Sequence, residues 1–274
     1  MSISKTMEQW QFQQWVKLVE NKTGMTMPEE RRSFLITSIS IRMLEVGISK
    51  FQEYYDYLHE NHNQEWNTLI DRLTVHETKF YRYPDIYKMI ENKLIAQTWQ
   101  CTTNKISAMS IGCSTGEEAY SLGLVLEKYY PKKWEITGID ISPICINTAQ
   151  NGIYKQQQIK WLESSLVNEH FNKIETNQYQ VKATIREKLT FVHANILSIR
   201  SEDHYGKQII FCQNILIYFD KLKQAQILNL LINMLIPDGI LVLAPGEMVT
   251  WRHPLADSKC ENGVMFFARK AIDN

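Results

Sequence analysis

With 274 residues, the chain is long for one hydrophobic core and comfortable for two domains. Its apolar content of 44% is that of a globular protein, and 30 Lys plus Arg balance 30 Asp plus Glu, so no net charge draws it to nucleic acid or a membrane surface. No basic-then-apolar leader opens the sequence, which predicts no secretory signal.

The first ~85 residues read as helical. In "EQWQFQQWVKLVENKTG", Phe12, Trp15, Val16 and Val19 recur at helical spacing, and Gly24 is the stop. Pro28 opens a second helix, where a missing N–H costs nothing. Phe34, Leu35, Ile39 and Leu44 supply its buried side, and Gly47 ends it. Arg31 and Arg42, eleven residues apart, return to nearly the same side of that helix. They form either a solvated charged face or a contact with an acidic partner. Two shorter helices follow at "FQEYYDYLHE" and "EWNTLIDRL".

From Lys105 onward, short apolar runs alternate with helices. "ISAMSIGC", "EITGIDI", "LTFVHANI", "QIIFCQNILIYF" and "GILVLAP" read as strands that are apolar on both faces, the pattern of a parallel sheet covered by helices. "VMFFARK" supplies a last strand, and residues 150–188 hold an inserted helix and a small hairpin. The apolar stretch "ILNLLINMLIPDGILVLAP" is broken by Asn229, Asn233 and Pro237-Asp238-Gly239, so it reads as a buried helix and strand, not a membrane span. Five dispersed cysteines (101, 113, 145, 212, 260) predict free, mostly buried thiols in a reducing compartment. Seven scattered histidines form no ligand pair, so no metal is expected.

The stretch "SIGCSTGEEAYSLG", residues 110–123, reads as strand, glycine turn and helix start. Such turns usually bind phosphate on free N–H groups, but Glu117 and Glu118 would repel one and favour a cation. Asp140, at the end of the next strand, stands where doubly wound folds place an acid on ribose hydroxyls. A ribose, no phosphate and a cationic group together describe S-adenosylmethionine. "GCSTG" also matches the G-x-S-x-G nucleophile elbow, with Ser114 as nucleophile and His204 or His253 as base. That fold needs strands before the elbow, and the upstream chain is helical.

Taken together, "LTVHETKFYRYPDIY", "GCSTGEEAYSLGLVL", "ITGIDISPICINTAQNGIY", "FCQNILIYFD" and "MLIPDGILVLAPGE" resemble the chemotaxis receptor methyltransferase family in order and spacing. The helical region is also similar, so the resemblance covers most of the chain. "RRSFLITSISIRMLEVG" and "DRLTVHETKFYR" are most similar to the branch attached to type IV pilus chemosensory systems. The resemblance implies an α/β fold: an all-helical N-terminal domain over 1–85, then a Rossmann-like S-adenosylmethionine-dependent methyltransferase domain over 86–274, with a small β-subdomain inserted at about 165–190. It implies a cytoplasmic enzyme that methylates glutamate side chains on the cytoplasmic helical domain of a chemoreceptor, without nucleic acid or direct membrane insertion.

By the same resemblance, cofactor contacts fall on His76, Thr78, Arg82, Glu118, Asp140, Asn195, Ile196, Gln213 and Asn214. Arg82 and Tyr218 match the family's active-site pair. Three positions depart from the pattern: His76 replaces a usual Asn, Gln213 replaces the Arg of a "C-R-N" segment, and "APGE" replaces G-x-S-E. Some members tether the receptor's tail pentapeptide to the β-subdomain through a longer, Gly-containing hairpin loop. Here "HFNKIETNQYQVKATIREKLTF" has no glycine, which predicts no tether unless Asn172 or Asn177 supplies the turn.

The chemistry needs little from the protein. A glutamate carboxylate with a pKa of ~4.3 is already ionised at neutral pH, so no base is required. Arg82 suits a carboxylate clamp, or is a solvated surface arginine. Tyr218 is either a core tyrosine or places its hydroxyl beside the transferred methyl. Asn214, polar at the end of an apolar strand, must bind the cofactor or hold the following turn.

Overall fold

The computed structural model describes residues 7–60, 64–96, 99, 105–131, 133–247 and 250–271. Four helices open it: α1 (Gln9–Thr23), α2 (Arg32–Val46), α3 (Phe51–Glu60) and α4 (Gln64–Leu73), with a single 3-10 turn, Glu29–Arg31, leading into α2. Gly24 and Gly47 stop α1 and α2 in the left-handed region at φ 77° and 75°. Phe12, Trp15, Val19, Leu35, Ile39 and Met43 pack into one core with Tyr54, Leu58, Leu69 and Leu73. Leu44, expected inside, is 58% exposed, because Met43 takes the inward position.

Arg31 and Arg42 do not form a common charged face. Arg42 turns inward and pairs with Glu65 of α4 at 2.6 Å, and Tyr54 of α3 donates to the same carboxylate. That network ties α2, α3 and α4 together beneath the surface. Arg31 points elsewhere, toward the ring of Tyr218.

The α/β part begins with α5 (Pro84–Ile95) and continues as β1 (Ile106–Ile111), α6 (Glu117–Tyr129), β2 (Trp134–Asp140) and α7 (Pro143–Asn151). An insertion follows: β3 (Ile153–Lys155), α8 (Gln156–Ile159), α9 (Ser164–His170), β4 (Phe171–Glu175), β5 (Gln178–Val181) and α10 (Ala183–Arg186). The chain then returns to the main sheet through β6 (Leu189–His193), β7 (Lys207–Cys212), α11 (Lys221–Met234), β8 (Leu235–Leu243), β9 (Ala256–Glu261) and β10 (Val264–Arg269).

The large sheet has seven strands in the order β6-β2-β1-β7-β8-β10-β9, or 3-2-1-4-5-7-6 when its strands are counted along the chain. Its first five members are parallel, as expected, but β10 pairs antiparallel with both β8 and β9, and β9 and β10 close one edge as a hairpin. β9 was not anticipated, and β7 ends at Cys212 rather than running on to Phe219. Side chains alternate between two cores along each strand. Ala108, Ile209, Phe211 and Val242 face one, and Met109, Ile111, Ile210 and Leu241 face the other. The insertion forms its own three-stranded antiparallel sheet, β3-β5-β4. Of the described cysteines, 113, 145 and 212 are buried and Cys260 is exposed; Cys101 lies outside the described residues. Among the described residues, no helix is long and apolar enough to cross a membrane.

Candidate active site

The strand order reverses between β1 and β7, and in such sheets the crevice at the carboxyl ends of the strands is the ligand site. A cavity of about 410 Å³ opens there. It falls in the ~300–1,000 Å³ range of small-molecule sites. Every residue that the family resemblance places at the site lines it, from His76 to Tyr218.

The turn between β1 and α6 sets one wall. Gly112, Ser114 and Gly116 all have positive φ, at 69°, 48° and 95°. A β-carbon on Gly112 would approach Ile215 Cγ2 to 2.1 Å, so the turn can lie against the loop after β7 only with glycine there. Asp140 organises this turn: Oδ2 accepts from the Ser114 N–H at 2.8 Å and Oδ1 from the Ser142 N–H at 2.9 Å. Burial pushes its pKa up, and those two N–H groups oppose the shift. The Ser114 hydroxyl is no activated nucleophile; its hydrogen-bond partner is the Cys145 sulfur at 3.9 Å.

The two glutamates divide. Glu118 lines the cavity, and Ser110 Oγ, buried in β1, donates to its Oε1 at 2.7 Å. Burial raises its pKa to about 8, against the pull of the Ser110 bond and the Arg82 charge, while Glu247 adds to the rise. Glu117, expected to face the ligand beside it, turns away. Its carboxylate accepts from Thr115 Oγ1 at 2.6 Å and from Gln158 Nε2 of α8 at 2.9 Å, so it holds the inserted subdomain against the turn.

The link from α4 to α5 supplies the second wall. His76 Nε2 faces the Asp71 carbonyl at 2.8 Å, Thr74 Oγ1 at 3.1 Å and Asp71 Oδ1 at 3.1 Å, while Nδ1 faces Cys145 Sγ at 3.1 Å. These neighbours assign the proton to Nε2 and make Nδ1 the acceptor of the thiol. Asp71, His76 and Cys145 thus bring three metal-ligand residue types within 4.8 Å. The thiol and the carboxylate lie on opposite ring nitrogens, however, which is a hydrogen-bond chain; a single ion cannot use both nitrogens of one ring. Burial pushes the Cys145 thiol up to about 12. Thr78 lines the cavity beside this chain. Arg82 Nη1 donates to the Glu77 carbonyl at 2.7 Å, and no carboxylate pairs with it among the described residues.

The loop after β7 forms the third wall. Gln213 is buried, and its Nε2 has no hydrogen-bond partner among the described residues. Asn214, at φ 60°, accepts the Tyr83 hydroxyl on Oδ1 at 3.0 Å and gives its N–H to Glu247 Oε2 at 3.2 Å. Glu247, the acid of "APGE", also takes the Ala244 N–H at 3.0 Å. Tyr218 accepts the Val75 N–H at 3.3 Å on its hydroxyl. Burial raises its pKa, and the Val75 bond and the Arg31 and Arg82 charges moderate the shift. Asn195 donates to the Thr23 carbonyl at 3.0 Å and accepts from the Leu197 N–H at 3.0 Å; Ile196 is buried beside it. Ser110, Gly112, Tyr83, Met25 and Arg31 belong to this site or its support and were not assigned to it from sequence. A buried hydroxyl in an apolar strand, eight residues before a glutamate, was the available signal for Ser110.

Residues 10–74 match the family model described as the CheR methyltransferase all-alpha domain, and residues 76–264 match the CheR methyltransferase SAM binding domain. The chain belongs to the CheR methyltransferase family. Its relatives include a chemotaxis protein methyltransferase of Borreliella burgdorferi, 26% identical over 244 residues that span 85% of this chain and 86% of that protein. Chemotaxis protein methyltransferase 2 of Vibrio cholerae is 29% identical, over 84% of this chain and 82% of that protein. The probable biofilm formation methyltransferase WspC of Pseudomonas aeruginosa is 26% identical, over 84% of this chain and 55% of its own length.

As a member of this family, the protein is an S-adenosylmethionine-dependent methyltransferase. The cavity fits such a group on its own evidence. Among the described residues it offers an orphaned buried amide on Gln213, a Glu118 carboxyl that no cation pairs with, and the acid Asp140 at the carboxyl end of β2.

Proposed function

We propose that this protein is a protein-glutamate O-methyltransferase that works in the cytoplasm on the helical domain of a chemoreceptor, for adaptation in chemotaxis or pilus-motility signalling. The observation that carries this reading is the Arg82–Tyr218 pair: both residues line the cofactor cavity, and Arg82 donates to the Glu77 carbonyl and meets no carboxylate partner among the described residues. A planar guanidinium left open beside a methyl-donor site suits an incoming carboxylate.

When bound, S-adenosylmethionine supplies an electrophilic methyl group on a sulfonium. Glu118 balances positive charge, Asp140 takes hydroxyl donors, and Gln213 Nε2 donates to an acceptor on the cofactor. Thr78, Ile196 and the backbone around Asn195 wall the site, His76 holds the link above it, and Asn214 fixes the loop through Tyr83 and Glu247. Arg82 holds one oxygen of the acceptor carboxylate and leaves the other free to attack. The Tyr218 oxygen is occupied by the Val75 N–H, so its own proton remains to donate into the cavity. With its pKa raised, that hydroxyl stays neutral at physiological pH. Placement and exclusion of water do the rest.

The test is transfer of labelled methyl to a cytoplasmic chemoreceptor fragment, and to its counterpart with the glutamates changed to Gln. Label on the first and none on the second is the expected result. Label on both moves the activity to another side chain, and binding without label makes the protein a silent adaptor.

A further inference from the structure

The cavity is not built by the α/β domain alone. Thr23 and Met25, at the end of α1 and in the loop beyond it, and Arg31, in the turn before α2, form part of its wall. This segment is held by long-range bonds. Asn195 Nδ2 donates to the Thr23 carbonyl, and the Thr26 N–H donates to the Tyr218 carbonyl at 2.7 Å. Gly24 packs so closely that a β-carbon would come within 2.1 Å of Leu197 Cδ1. Arg31 therefore extends from an anchored support, not from a loose arm.

Its guanidinium is unlike those of the other arginines between α1 and the end of α4. Arg32 pairs with Glu29, Arg42 with Glu45 and Glu65, and Arg72 with Glu45. Arg31 is half-buried, and no carboxylate meets it among the described residues. Its Cζ lies 4.9 Å from the Phe34 ring centre and 5.4 Å from that of Tyr218. Ring faces hold a guanidinium in place without consuming its in-plane N–H donors. A partly desolvated cation kept open at a cavity wall is costly unless an anion arrives. The cavity thus presents two guanidiniums without carboxylate partners, Arg31 and Arg82, on residues that flank Tyr218.

We propose that Arg31 binds the acceptor's side-chain carboxylate alongside Arg82, so that the helical domain completes the acceptor subsite and helps select glutamate over glutamine. This rests on the reading that the acceptor is a carboxylate. Two cations facing one side chain reward its negative charge, whereas the neutral amide of glutamine gains hydrogen bonds but no ion pairing. Arg31 is then a substrate-binding residue and not a general docking charge, and its effect follows the charge of one side chain.

The experiment compares wild type with Arg31→Met, Arg31→Ala and Arg31→Lys. Each is saturated with S-adenosylhomocysteine and titrated with a cytoplasmic chemoreceptor fragment carrying Glu, and with the same fragment carrying Gln, at the methylated positions. Met keeps the apolar stem against Phe34 and Tyr218 and removes the charge. Arg31→Met and Arg31→Ala are expected to weaken the Glu fragment about tenfold or more and to leave the Gln fragment within about twofold, with Arg31→Lys in between. In turnover, KM for the Glu fragment rises by the same factor, while the dissociation constant for S-adenosylhomocysteine stays put. Equal loss for both fragments, or wild-type behaviour of Arg31→Met, overturns the proposal. A wild-type protein that binds the Glu fragment but transfers no methyl overturns the proposed function, and the binding arm still decides the role of Arg31.

Discussion

Ser110 Oγ donates to the Glu118 carboxylate at 2.7 Å beneath the cavity, a hydrogen bond to an acid that burial makes hard to ionise. With its pKa raised to about 8 by burial, Glu118 carries a proton at neutral pH. A cationic ligand favours the carboxylate, so binding expels that proton. Cofactor affinity is expected to rise by up to about tenfold per pH unit from pH 6.5 to about 8, then flatten. Calorimetry in two buffers of different ionisation enthalpy should count close to one proton released at pH 7, and none for Glu118→Gln. The same raised pKa contributes stability that is full below the ordinary carboxylate pKa and lost as pH rises through about 8. Glu118→Gln removes that dependence.

Asp140 carries two duties, and its removal should show both. Asp140→Ala is expected to cost about 1.5–3 kcal/mol of cofactor binding. It also strands the buried Ser142 N–H and the Ser114 N–H, which lowers unfolding free energy by about 1–3 kcal/mol. Unchanged calorimetric affinity for S-adenosylhomocysteine would remove Asp140 from the cofactor site, whatever happens to Tm.

Arg82→Ala separates binding from chemistry. Among the described residues its hydrogen bond goes to a backbone carbonyl, so little structure depends on it. Cofactor affinity should stay within a few-fold while methyl transfer falls by about tenfold or more. A near-wild-type transfer rate rules out the clamp.

The inserted subdomain should not capture a receptor tail. β4 and β5 are joined by Thr176 and Asn177 alone, and neither residue has positive φ. The hairpin closes on these two residues without a glycine. Titration of a labelled receptor-tail pentapeptide should show no binding at millimolar concentration. A low-micromolar dissociation constant overturns this.

Glu118, Asp140 and Asn214 were legible because the β-α-β order delivers residues to the carboxyl ends of β1, β2 and β7; the other cavity-lining residues were expected from the family resemblance. Gly24 and Gly47 were legible as helix stops because left-handed backbone selects glycine locally. The failures were cases in which a distant partner decides. Glu117 and Glu118 are adjacent on a helix, roughly 100° apart, so only one can face the ligand. Gln158 in the insertion chooses which. Arg42 turns inward because Glu65 lies on another helix, and Arg31 turns outward toward Tyr218. β9, "ADSKCE", has neither branched residues nor apolar alternation. It is a strand because β10 lies beside it.

Thr23 and Asn195, which meet across the cavity wall, are 172 residues apart in the chain, and Val75 meets Tyr218 across 143. Contacts of that span are late events in folding, because loop closure is paid before the contact returns anything. The helical bundle and the sheet can each nucleate on local pairings, but the chamber between them exists only after Tyr218 has been synthesised and docked. Newly made chains therefore acquire ligand affinity at the last step of maturation. A tight ligand then works as a check on completion, since its mass-action stabilisation goes only to molecules whose two ends have found each other.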